Sequence, residues 1–534
     1  MEAMKNRLKY LFLFLMLFDI NSISVGQEWI RIYGSGKSAT AKYINESYDK
    51  GNYILGSIKT FKYGWIIKTD INGEVLWDIK IGNGKYICIP ENIENTSDHG
   101  FVISGSFTKY DNADDPYLMK FNSCAGLEWC KVLRTPGHID YGQRVKPLSD
   151  GGYLFLSRYY GYDPDARTHL LKFSSSGELI WHQSFTPLDT LLFADDGNDL
   201  LITSQNEYLI TGGCDYPKPG EPGGWIRPYL IKTDSVGNAT WELPYGVDSN
   251  YIGFSASSVE NNIGLSFYTV GRQCQTQTGD SPGLIKTSTG GVEQYYKKLM
   301  QGTTLGIANT INWLNDTVLI IGVSWSFTDD PGSVGMLKTD TLGNQIKMKE
   351  FLNLTNTLYS TVKTFDNKFV SIASDASDGH WKIYAFKVNS DLEYDTLYTH
   401  PFVYDSLCPY PIVSDTLEPE CDLIVNIDEP FTDPETSRLK VYPNPAWDKL
   451  TIELPKYLIV NSGNTLFRSQ TVHHKWQSAT IEIYDLFGRR MFARDVRQGY
   501  KELETDVSSW PPGMYVVRLV YNGQTVGSEK VVVE

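Results

Sequence analysis

One pattern recurs seven times along this chain, and it constrains the fold more than any bulk property. Aligned on a lysine, it falls at Lys68, Lys120, Lys172, Lys232, Lys286, Lys338 and Lys387, with gaps of 52, 52, 60, 54, 52 and 49 residues. Apolar pairs precede the lysine, as in Ile66-Ile67, Leu170-Leu171 and Leu230-Ile231. Gly73, Gly126, Gly177, Gly237, Gly291 or Gly343 follows the first six lysines within six residues. Trp77, Trp129, Trp181 and Trp241 stand nine residues after the first four. Apolar strand, glycine-bearing turn and second strand are the parts of a hairpin. An earlier turn signal, as in "SDHGFVISG" from Ser97 and "SDGGYLFLS" from Ser149, gives each period about four short strands and no amphipathic helix. Four-stranded units at a fixed period of this length predict a seven-bladed β-propeller over residues 27–400. Trp29, in "EWIRIYG", reads as a spare copy of the Trp-bearing strand, placed to pair into the last blade and close the ring.

Equivalent positions at one radius in every blade cannot all meet one ligand. The lysines and tryptophans therefore read as contacts between strands and blades. The loops between second and third strands differ from blade to blade, and function concentrates on variable loops held by rigid strands. They carry Tyr110, Asp114, Asp115, Tyr159, Tyr160, Asp163, Asp165, Trp225, Trp325, Asp329 and Asp330 as candidate ligand-binding residues. Aromatic faces stack on sugar rings while carboxylates bond hydroxyls. Clustered Asp also suits Ca²⁺, a hard cation that takes oxygen ligands, and Asp, Pro and Gly also form turns with no ligand at all.

Enzyme signatures are absent from the sequence. It holds no GxSxG, HExxH, Walker loop or GxGxxG in a strand-turn-helix setting. Its eight histidines form no metal spacing. The hairpin "YLIKTDSVGNATW" resembles the Trp-bearing hairpin of quinoprotein-type propellers, over that motif alone. Quinone-dependent dehydrogenases usually carry a disulfide of adjacent cysteines, and this chain has no adjacent pair. No cofactor is expected, with Ca²⁺ the one alternative. Two loop carboxylates facing each other, as glycoside hydrolysis requires, stay open as a second reading.

With 48 basic and 63 acidic side chains the net charge is −15, which argues against a nucleic-acid partner. Lys5, Arg7 and Lys9 precede the nine apolar residues "YLFLFLMLF", and Ser24-Val25-Gly26 offers a small-residue cleavage site. Residues 1–26 therefore read as a secretory signal peptide, and no later segment is apolar enough to span a membrane. Export makes disulfides favourable. Cys124 with Cys130, and Cys408 with Cys421, each flank a short stretch and are the expected pairs. The Pro- and Asp-rich residues 401–436 read as a linker.

From Ser437 the pattern changes to alternating strands separated by turns, in "LKVYPNPAWDKLTIELP", "ATIEIYDLFGRRMF", "PPGMYVVRLV" and "EKVVVE". This predicts a small immunoglobulin-like β-sandwich over 437–534 and an all-β chain. The segment resembles the type A C-terminal sorting domain of the type IX secretion system of Bacteroidetes. The resemblance rests on Tyr442-Pro443-Asn444-Pro445, Gly488 in "IYDLFGRR", Gly513 and Tyr515 in "PGMY", and Lys530 in the closing strand. It implies the type IX machinery as partner, passage through the periplasm, and release or attachment at the outer cell surface. The propeller would then be the cargo. The expectation is a non-catalytic binding module for a glycan or protein ligand. A secreted glycan-active enzyme is the alternative, and a structural surface protein the third reading.

Overall fold

The computed structural model describes residues 27–534 apart from 110–112, 135–138, 161–166, 186–195, 218–223, 247–250, 253–254, 262, 276–278, 301–304, 327–331, 354–356, 377–378, 401, 426–438, 454–478, 487, 497–501 and 522–523. No helix occurs among the described residues. The chain divides into two compact units, Met1–Ile427 and Asp428–Glu534.

The first unit holds seven sheets, six of them built around four antiparallel strands consecutive in the chain. Blade 1, for example, comprises Thr40–Glu46, Asn52–Ile58, Tyr63–Thr69 and Val75–Ile81. The first strands of successive blades lie against one another all round, and that of blade 7 lies against that of blade 1, so the ring is closed. Blade 7 takes its outermost strand from the other end of the unit: Ile30–Tyr33 pairs with Lys382–Val388. This is the expected closing strand, and it makes a seven-bladed propeller. Second strands such as Asn52–Ile58 and Phe101–Phe107 are buried at every position, because a blade packs on each face. That is why they read as continuous apolar runs rather than alternating ones.

The repeated pattern has two mechanical parts. The first is the hairpin between third and fourth strands. In blade 1 the amide of Gly73 bonds the carbonyl of Asp70, and Asp70 bonds back to the amides of Asn72 and Glu74. A positive-φ residue completes the turn, followed by a bulge beside Lys68. The positive-φ residue is Gly73, Gly177, Gly237, Gly291 or Gly343, but Ala125 in blade 2 and Leu392 in blade 7. The next blade's turn receives an aromatic ring. A Cβ on Gly237 would stand 2.7 Å from the Trp181 ring, and one on Gly177 would stand 2.9 Å from Trp129. Trp29 donates to Ile71 O at 2.7 Å, Trp129 to Ser175 O at 3.2 Å and Trp241 to Thr289 O at 3.0 Å. Glycine and tryptophan are thus two halves of one contact between adjacent blades.

The second part is the lysine. It reaches the turn between first and second strands of its own blade, where a carboxylate caps the turn. Lys68 pairs with Asp49, Lys120 with Asp98 at 2.7 Å, Lys172 with Asp150 at 2.6 Å, Lys232 with Glu207 and Lys387 with Asp366 at 3.1 Å. Lys338 turns instead to Asp391 of the next blade, 3.5 Å away, and the Lys286 ammonium lies 5.1 Å from the centre of the Tyr268 ring. The lysines are internal struts, with no part in a shared cation ring.

The segment expected as a linker is fastened along blades 7, 1 and 2. Tyr398 exchanges two hydrogen bonds with Asn72, and Tyr404 accepts from Ile71 N at 2.8 Å. Asp415–Leu417 then pairs in parallel with the outer strand of blade 1, and Asp422–Val425 with Leu127–Arg134 of blade 2. This strap changes the disulfides. The bonds are Cys124–Cys408 and Cys130–Cys421, not Cys124–Cys130 and Cys408–Cys421. Cys124 sits in the hairpin turn of blade 2, whereas Cys130 is the fourth residue of the outgoing strand. At about 3.3 Å of rise per residue, that strand carries the two thiols beyond the ~7 Å limit between Cα atoms. The strap runs parallel to the same strand and brings one cysteine to each.

The second unit has a three-stranded sheet, Lys440–Tyr442, Lys449–Glu453 and Glu502–Asp506, and a four-stranded one, Arg490–Val496, Ala479–Asp485, Gly513–Tyr521 and Gln524–Val533. Leu450, Ile452, Ile481, Ile483, Val517, Leu519 and Val531 form the core between them, which is the expected small β-sandwich.

Candidate functional site

The site begins with a register irregularity. Each first strand carries a β-bulge at the same place, so one residue per blade has no partner on the second strand. These residues are Lys42, Glu91, Gln143, Asn198, Ala256, Asn309 and Tyr359. Opposite the residue before the bulge the second strand carries a small residue in six blades, Gly56, Gly105, Ser157, Gly212, Gly271 and Ala373, and Val323 in blade 6. A Cβ on Gly56 would meet Thr40 O at 2.3 Å, and one on Gly105 would meet Ile89 O at 2.4 Å, so the bulged backbone occupies that space. A bulge re-aims the residues around it and is over-represented beside functional sites. Here seven bulges surround one axis.

The ring encloses a cavity of about 330 Å³, lined among others by Tyr43, Arg144, Lys146, Asp199, Ser257, Asn309, Asn312 and Tyr359. The charges on its lining are paired, Arg144 with Asp199 at 3.3 Å and Lys146 with Glu94, while the bulge residues Lys42 and Glu91, which do not line it, pair with each other at 2.6 Å. Ser257 also donates to Asp199 at 2.8 Å, and Arg144 lies 5.6 Å from the centre of the Tyr43 ring. Burial pulls Lys146 down, but the Glu94 carboxylate overrides it and holds the ammonium well above its ordinary value. Burial pushes the Tyr43 hydroxyl up to about 12, so it stays protonated and can donate. Across the ring the groups are neutral. Asn309 gives one N–H to Leu358 O at 2.6 Å, and Asn312 gives one to Thr361 O at 3.2 Å. Each amide keeps a second N–H and its carbonyl, and the hydroxyls of Tyr43 and Tyr359 have no hydrogen-bond partner among the described residues.

Tyr110, Asp163, Asp165, Asp329 and Asp330 lie outside the described residues, and so do residues 1–26. Tyr159 and Tyr160 end the second strand of blade 3, and Trp225 begins the third strand of blade 4; only their backbone is described. Asp115 and Trp325 do not stand at a loop surface. Asp115 is 1% exposed within Asp115–Phe121. Trp325 is 4% exposed, its ring filling the space over Gly335, where a Cβ would lie 2.7 Å away. Asp114 does reach a polar group, since the Tyr141 hydroxyl bonds its carboxylate. Burial raises the Asp114 carboxyl above its ordinary range against that bond, and pushes Tyr141 up to about 12. Among the described residues no group of three or more His, Cys, Asp or Glu could hold a metal, and no helix is long and apolar enough to cross a membrane. Sequence reasoning missed the bulge ring. Its trace was the small residue recurring in six of the second strands, as in "ILGSI", "ISGSF" and "ITGGC".

In the second unit, Asn444 joins the two ends of the sorting segment. Its side chain donates to Lys530 O at 3.0 Å and accepts from Val532 N at 2.9 Å. Tyr442–Pro443 and Asn444–Pro445 are cis peptide bonds. Gly488, at φ +78°, turns one hairpin, and Gly513 opens the strand that buries Tyr515, whose hydroxyl donates to Pro511 O at 2.6 Å.

No curated protein sequence matches the chain. Among solved structures, an ulvan lyase of a new polysaccharide lyase family is 10% identical, with a TM-score of 0.47, covering 68% of this chain and 96% of its own. The β-propeller domain of the Trilobed protease from Pyrococcus furiosus is 8% identical, with a TM-score of 0.40, covering 68% and 99%. Residues 440–534 match the family described as the secretion system C-terminal sorting domain. They are the type IX sorting tail of this chain, and they mark the seven-bladed propeller ahead of them for export to the cell surface or beyond.

Proposed function

We propose that the exported propeller is a non-catalytic binding module whose ligand enters the bulge ring at its axis. One observation carries this reading. The cavity is lined by side chains of unlike chemistry from six blades, among them Tyr43, Arg144, Asp199, Ser257 and the bulge residues Asn309 and Tyr359. Packing between blades keeps its residues alike, as the lysines and glycines show; recognition makes equivalent positions differ. The carboxylate on the lining, Asp199, is held against Arg144, which leaves no free acid and base pair there. The test is to present the mature protein to a glycan array and to a panel of polysaccharides while monitoring product release. Retention of a ligand without new chain ends is the expected result, and turnover would refute the non-catalytic reading. A glycan-active enzyme on the loop face has one observation in its favour, the Asp114 carboxyl raised beside Tyr141. On that reading, turnover would fall with Asp114→Asn.

A further inference from the structure

The wall of the cavity is polarised, and nothing in the packing of seven similar blades requires it to be. On blades 3 and 4 stand its charged side chains, Arg144, Lys146 and Asp199, each closed on a partner, Arg144 with Asp199 and Lys146 with Glu94. On blades 6, 7 and 1 stand the groups with hydrogen-bonding capacity left over, and all are uncharged: the amides of Asn309 and Asn312 and the hydroxyls of Tyr359 and Tyr43. An ionic ligand would have to break an ion pair to find its counter-charge, leaving a partly buried charge unmatched. A neutral, hydroxyl-rich ligand finds free donors, free acceptors and two aromatic rings without disturbing any pair. The cavity volume sits at the lower end of the roughly 300–1,000 Å³ of ligand pockets, room for one ring rather than a stretch of polymer.

Resting on the binding-module reading, we infer that the channel takes a single neutral sugar residue, the terminal unit of an uncharged glycan, on the arc formed by Asn309, Asn312, Tyr359 and Tyr43. The amides bond ring hydroxyls as donor and acceptor together, and the tyrosines supply apolar faces with a hydroxyl at the rim. The ion pairs on the opposite arc form a fixed wall that rejects carboxylated and sulfated sugars.

The probes are methyl glycosides of neutral hexoses, with the matching uronic acids and sulfated sugars as counter-probes, titrated into the mature full-length protein. Neutral probes should bind and charged ones should not. Asn309→Ala and Tyr359→Phe should each weaken binding roughly 3- to 10-fold, the effect of removing one hydrogen bond, at an unchanged melting temperature. Tighter binding of a charged sugar, or neutral binding indifferent to both substitutions, overturns the assignment. A longer glycan or a protein retained equally by wild type and both variants removes the channel but leaves the binding module standing. Failure to retain any ligand removes both.

Discussion

At the scale of single residues, the struts between lysines and turn carboxylates give the propeller a defined response to acid. Burial alone would raise the Asp366 carboxyl, yet bonds from Thr364 and Tyr398 and the Lys387 ammonium pull it down to about 2. On the partner side burial wins and leaves Lys387 below its ordinary value, so the acid response belongs to Asp366. Its folded value lies below the ~3.9 of an unfolded aspartate. The stabilisation is therefore complete above about pH 4 and is lost as pH falls toward 2. Asp49, Asp98 and Asp150 are likewise held below the ordinary range, burial working against the lysine bonds for the first two. Asp366→Asn should lower stability at pH 7 and flatten part of the decline between pH 4 and pH 2. Denaturant melts across that window check it, and an unchanged slope would contradict it.

At the scale of elements, the strap is the device that fixes the seam of the ring. It covers two outer strand edges, which would otherwise present unpaired backbone groups, and its disulfides join residues 284 and 291 positions apart. On the chain-entropy argument the first such closure is worth roughly 5 kcal/mol. The second then closes only the short circuit through Cys124, Cys130, Cys408 and Cys421, and adds roughly 3 kcal/mol. Cys408→Ser or Cys421→Ser alone leaves the other long closure in place and should cost roughly 3 kcal/mol, so the double substitution should cost more than the two single effects added together. Equilibrium unfolding measures this, and non-reducing peptide mapping should recover Cys124–Cys408 and Cys130–Cys421. Recovery of Cys124 with Cys130 would refute the strap.

At the scale of the whole molecule, the two units have separate cores. The buried cluster of the second runs from Leu439 to Val533 and contains no propeller residue. Deleting residues 440–534 should therefore leave a propeller with an unchanged melting temperature but halt the protein in the periplasm. Cell fractionation decides it: a truncated protein still reaching the surface or the medium would show that the sorting tail is dispensable. A truncated protein that no longer melts cooperatively would show that the units depend on each other.

What the sequence by itself determined is whatever repeats or lies close along the chain. The spacing of seven lysines gave seven blades, Trp29 in its spare copy of the pattern gave the closing strand, and motifs within the last hundred residues gave the sorting tail. Each is set by local chemistry, because a hairpin turn and an alternating strand need only their own neighbours. Tertiary structure decided what depends on partners far apart. Cys130 found Cys421 rather than Cys124 because the strap strand Asp422–Val425 runs parallel to its own strand. Trp325 went inward because Gly335 left room on the facing strand. The channel took its character from bulges, each a one-residue mismatch between paired strands that exists only once register is chosen. Its lining then gathers Tyr43, Arg144, Asp199, Asn309 and Tyr359 from five blades. Only ring closure puts residues more than 300 positions apart onto one wall.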